Sequence, residues 1–175
     1  MSQINQIQVS FVPLEDRLLL RMNTADASSF QFWVTRRYLK ILWPVLLEML
    51  KKDAQIAAQQ SELAKKEVLS FQHQEAAKKM DYSREFESTA QQQPLGDEPI
   101  LLAKVSIKTN REGGQTLCMH PDQGQGIELT LNQTLLHSIC KLLQDTVAKA
   151  EWDIDLSRSL ATTAMPPMVE SAAIN

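Results

Sequence analysis

Two stretches of this chain, residues 17–50 and 115–147, repeat one order of apolar positions, which constrains the fold to two similar units. At one constant offset Leu20 falls on Leu117, Met22 on Met119, Phe30 on Ile127, Phe32 on Leu129 and Val34 on Leu131. The same offset carries Thr35 onto Asn132, Leu39 onto Leu136, Leu42 onto Ile139 and Leu46 onto Leu143. Upstream, an offset one residue shorter sets Ile7, Val9 and Phe11 on Ala103, Val105 and Ile107. A longer turn at Glu112-Gly113-Gly114, opposite Leu14-Glu15-Asp16, absorbs the difference. The match is one of pattern rather than identity, and duplication is expected over coincidence between two similar ββα patterns.

Alternation at Ile7, Val9 and Phe11, then at Leu18, Leu20 and Met22, predicts two half-buried strands. A polar turn leads to a third strand with Phe30, Phe32 and Val34 on one face. Thr35 can then cap a helix by accepting from a free amide of its first turn, and Asn132 does the same in the second copy. The first helix carries more apolar side chains than one sheet can cover. Its surplus, Ile41, Val45 and Leu47, asks for a second surface: the other repeat, a second copy of the chain, another protein or, least expected, a membrane surface. Pro44 inside it should kink or break the helix near Trp43.

Residues 51–93 contain neither glycine nor proline and are rich in Ala, Gln, Lys and Glu. Glu48–Lys52, Glu62–Lys66 and Glu75–Lys79 are spaced as i,i+4 pairs that favour helix. Apolar residues are too sparse there for a sustained heptad. The segment reads as an exposed helix, with disorder through much of 51–98 as the competing reading, and Pro94 to Pro99 as linker. Beyond Trp152 the periodicity fades, which predicts a disordered tail over 157–175. The expected fold is α+β: repeats over 1–50 and 99–156 in a pseudo-symmetric antiparallel sheet assembly, joined by a helical arm and linker over 51–98.

Charge and composition narrow the function. A net charge of −3 opposes a large nonspecific nucleic-acid surface. The longest nearly apolar run, Ile41 to Leu50, is too short to cross a bilayer, and the amino terminus lacks a secretory pattern. Two cysteines with no other secretory feature make a reduced cytoplasmic protein the default.

Candidate sites are few. Cys118 and His120, with His137 and Cys140, supply the ligand types of a structural zinc site, but C-x-H with H-x-x-C is not a common zinc spacing. The repeat register also turns Cys118 and His120 away from the core and matches His137 to Lys40, an expected surface position. No cofactor or metal is therefore expected. The pairs Arg36-Arg37, Lys51-Lys52 and Lys65-Lys66 would fall within about 60° on one straight helix at ~100° per residue. Nearby glutamates make that stripe a salt-bridged face before a phosphate track. Trp33, Arg36, Arg37 and Lys40 could form a surface for single-stranded nucleic acid, by stacking beside cations. Gly113-Gly114 and Gly124-Gln125-Gly126 fall at hairpin turns rather than phosphate loops, and no nucleophile elbow occurs.

At the level of topology, duplicated sheet-then-helix units resemble the PUR and Whirly families of single-strand nucleic-acid-binding proteins. Those families use four strands per unit where three are assignable here. None of their motifs occurs in the chain, so no binding residue carries over. Three functions are expected in order: a noncatalytic cytoplasmic interaction or adaptor protein, self-associating or binding another protein through Ile41, Val45 and Leu47; a nucleic-acid binder; and a small enzyme.

Overall fold

Alternating patterns become strands, and greasy periodic runs become helices, in the computed structural model, which describes residues 4–79, 86, 92–109, 111 and 114–156. The expected tail over 157–175 and the turn residues Glu112 and Gly113 lie outside the described residues. Strands β1 (Ile4–Val12), β2 (Arg17–Thr24) and β3 (Ser29–Val34) form an antiparallel meander, followed by helix α1 (Arg36–Lys51). A two-residue strand β4 (Ile100–Leu101) joins β3 in parallel and completes a four-stranded sheet. Strands β5 (Lys104–Thr109), β6 (Gln115–His120) and β7 (Ile127–Thr130) form a second antiparallel meander, followed by helix α4 (Gln133–Lys149). The protein is thus mixed α+β with two sheets.

Six of the eleven apolar pairs in the sequence pattern are buried at both positions. Leu20 and Leu117, Met22 and Met119, and Phe32 and Leu129 are buried on their sheets; Leu39 and Leu136, Leu42 and Ile139, and Leu46 and Leu143 are buried on their helices. Thr35 accepts from the Tyr38 amide at 3.1 Å, and Asn132 accepts from the Leu135 amide at 2.8 Å, so each meander hands over to its helix through a side-chain cap.

The helices exchange partners. Helix α1 packs against β5 of the second sheet, and α4 packs against β1 of the first. Tyr38 on α1 reaches the Lys104 carbonyl at 3.3 Å, while the Thr146 hydroxyl on α4 lies 3.3 Å from the Val9 carbonyl and 2.7 Å from that of Leu142. Burial pushes the Tyr38 phenol above its ordinary pKa. A further tie comes from the second half's end. Asp16, at the β1–β2 turn, accepts from Trp152 Nε1 at 2.8 Å and from Arg36 at 3.0 Å. The Arg36 guanidinium lies 5.3 Å over the Trp152 ring, and Trp152 meets Phe11 edge-on at 6.2 Å. The hydrogen bond from Arg36 holds the Asp16 carboxyl below its usual pKa.

Residues 51–98 depart most from expectation. In place of one exposed arm stand a short helix α2 (Ala54–Ala57) and a longer α3 (Glu62–Lys79), and α3 lies along α4. A polar side chain starts each of these two helices. Asp53 accepts from the Gln55 amide at 2.9 Å, and Ser61 accepts from the Ala64 amide at 3.1 Å. Ile56 is fully buried, and Leu69, His73 and Ala76 face inward along α3. The three basic pairs therefore do not share one straight helix. Of the three expected pairs, only Glu48–Lys52 forms at i,i+4 among the described residues; Glu62 and Glu75 pair instead with Lys65 and Lys78 at i,i+3, an equally near neighbour on a helix. Among the described residues no helix is long and apolar enough to cross a membrane.

Candidate interaction surface

Helix α1 runs uninterrupted through Pro44. The pyrrolidine sits on the outward face, where the Lys40 carbonyl deprived of its helical partner can be hydrated. Tyr38, Leu39, Leu42, Trp43, Leu46, Met49 and Leu50 point inward, on a helix packed against β5, α4 and α3. Most of the surplus apolar surface is thus taken up inside the chain. Val45 and Leu47, expected on a free surface, are half-buried against the core. Ile41 remains 45% exposed. It lies on one helical face with exposed Arg37, Lys40, Pro44 and Glu48 and the open edge of Val45. An apolar stripe of Ile41, Pro44 and Val45 is therefore flanked by cations at its amino-terminal end and by a carboxylate at the other.

A second apolar feature crosses the outer face of the first sheet. Leu19, Trp33 and Leu101 are register partners on β2, β3 and β4, so their side chains form one row on the face opposite Phe32. Leu101 is 46% exposed, and Leu19 and Trp33 are partly so. On the same face Arg17 is bridged to Glu15 at 3.7 Å, and the Arg21 guanidinium lies 4.9 Å over the Phe86 ring. Trp33 belongs to this sheet face, whereas Arg37 and Lys40 belong to the helix face. Arg36 is held by Asp16 and Trp152.

The four zinc-type residues are dispersed. Among the described residues no three His, Cys, Asp or Glu side chains are grouped to hold a metal ion. Cys118 is buried on the outer face of the second sheet, where the Lys108–Glu128 ion pair reaches across β6. Cys140 is buried in the core, and burial pushes its thiol up to about 12. Both thiols are free. His120 ends β6 and lines an open cleft of about 500 Å³ with Phe30, Leu95, Gly126, Ile127 and Glu128. At Gly126 a Cβ would lie 2.1 Å from the Met119 carbonyl oxygen, so the wall of this cleft admits only glycine there.

His137 is not the surface residue that its match to Lys40 implies. It is 3% exposed, because α3 covers this face of α4. Its Nδ1 lies 3.3 Å from Nδ1 of His73, and His73 Nε2 lies 3.0 Å from Gln144 Oε1. Gln144 in turn donates through Nε2 to the Leu156 carbonyl at 3.4 Å. A polar relay therefore runs from the carboxy-terminal side of α4 to α3 through the core. Its signal in sequence was weak: His73 looks like one more polar letter in a polar helix.

Comparison of the chain with protein-family models, curated proteins and solved structures found no match.

Proposed function

We propose that this protein is a noncatalytic cytoplasmic interaction module, formed by duplication of a β-β-β-α unit into a pseudo-symmetric pair. It engages a second copy or another protein through the outward face of α1. The observation that carries this reading is the Ile41–Pro44–Val45 stripe, left open on a helix whose other faces are buried, with Arg37 and Lys40 beside it. An apolar strip rimmed by charge suits a protein contact, where burial supplies affinity and the rim fixes register. Sedimentation velocity across a wide concentration range should show self-association, or a pull-down should capture a partner. Ile41→Glu should weaken either by at least about tenfold, while the melting temperature stays within a few degrees, because Ile41 is half in water already. A concentration-independent monomer whose partner binding is indifferent to Ile41→Glu would overturn the reading.

A second reading rests on the Leu19–Trp33–Leu101 row: an aromatic on an open sheet face near arginines suits a stacked base. Under it, affinity for single-stranded oligonucleotides falls steeply with salt, and Trp33→Ala costs about 1–3 kcal/mol of binding. The chain's acidity and the engagement of Arg17, Arg21 and Arg36 favour the first reading. Trp33→Ala is expected to leave the weak oligonucleotide binding at physiological salt unchanged.

A further inference from the structure

We propose that the His73–His137 pair is an acid-sensitive latch, whose protonation lets α3 lift from α4 while the two sheets stay folded. The hydrogen-bond pattern fixes where protons sit at neutral pH. Gln144 is oriented by its donation to the Leu156 carbonyl, so its Oε1 faces His73 and accepts from Nε2–H of that ring. His73 Nδ1 then carries the lone pair and accepts from Nδ1–H of His137. His137 Nε2 is left as a bare acceptor, buried and without a hydrogen-bond partner among the described residues.

No position in this relay accepts another proton without loss. A proton on His137 Nε2 creates a buried cation whose new N–H has no acceptor. A proton on His73 Nδ1 sets two donors face to face at 3.3 Å. The surrounding charges give little relief. Asp53, between α1 and α2, is the carboxylate whose charge acts on His137, and it is spent on the Gln55 amide and on Gln72. On the His73 side the charges are Lys141 and Asp145 of α4, already paired with each other. The His137 imidazole is accordingly held down at about 4 from an ordinary 6.5, by burial and then by His73. His73 is also lowered, by burial first.

The sign follows from linkage. Both folded-state pKa values lie below the unlatched value, so the open form binds more protons. The stability of the closed contact is fully present above pH 6.5 and is lost as the pH falls towards about 4. His137 multiplies the open population by up to about tenfold per pH unit in that window, and His73 acts in the same direction. Helix α3 is the element that yields, because its buried stripe is only Leu69, His73 and Ala76. Helices α1 and α4 are held by the sheets as well.

The latch is tested on the full chain by hydrogen exchange at pH 7 and pH 4.5, corrected for intrinsic rates. Amides of residues 62–79 should lose at least about tenfold more protection than those of β2, β6 and α1. The double variant His73→Leu/His137→Leu removes both titrating groups and should erase that difference. Retained protection of α3 at pH 4.5, uniform loss across the chain, or acid loss that persists in the double variant would each overturn the latch. Should the double variant not fold, imidazole chemical shifts of the unaltered chain decide. A midpoint well below 6.5 for His137 and a lowered one for His73 support it, and ordinary titration of either overturns it.

Discussion

Gly126→Ala should destabilise the protein by about 3 kcal/mol, at the upper end of what overpacking costs. The added methyl would lie 2.1 Å from the Met119 carbonyl oxygen, 2.4 Å from His120 Nδ1 and 2.7 Å from His120 Cα. The imidazole could swing aside, but the other two atoms belong to the backbone of β6. Met119 is the register partner of Ile127, so relief requires pulling β7 away from β6 just where the strand begins. Equilibrium denaturation in urea measures the loss. A change below about 0.5 kcal/mol, the scale of an ordinary surface substitution, would show that the β6–β7 turn yields freely.

Leu46→Ala and Leu143→Ala should each cost about 2–5 kcal/mol, the range for emptying a fully buried leucine site. Both side chains are almost completely buried, at equivalent turns of α1 and α4. The diagnostic outcome is how the loss spreads. Helix α1 packs on the second sheet and α4 on the first, so either truncation should lower the protection of both sheets together. Exchange under mild denaturant that frees β1–β3 in Leu46→Ala while leaving β5–β7 protected would mean that the halves fold independently.

The strands, the two long helices and their caps were legible because each rests on local chemistry. Periods of two and of 3.6 survive in the letters, and a threonine or asparagine after a strand has one obvious use. The exchange of helices between sheets was not legible, since an apolar face does not say which sheet covers it. Strand β4 is two residues long and gains its place only from β3. Helix α3 misled for a sharper reason. Its inward stripe is Leu69, His73 and Ala76, whereas its conspicuous apolar residues, Leu63 and Phe71, point to solvent. A histidine in a buried stripe reads as polar, so the letters alone predict an exposed helix. His137 is illegible for the same reason, because its cover is that helix. On α1 the reverse occurred: its apolar surplus was visible, but only Ile41 of the three named residues remained largely open.

The exchanged helices also set a timetable for synthesis. Tyr38 waits for Lys104 on β5, 66 positions downstream, and Val9 for Thr146 on helix α4, 137 positions away. At about 5–20 residues per second, the inward side of α1 faces water or a chaperone for roughly 3–13 s before β5 has been made. The nascent first half thus emerges with its greasiest helix lacking its second cover, and hydrophobic capture during translation is most dangerous there. Slowing the ribosome between α1 and β5 should therefore lower the yield of soluble chain more than an equal delay after α4.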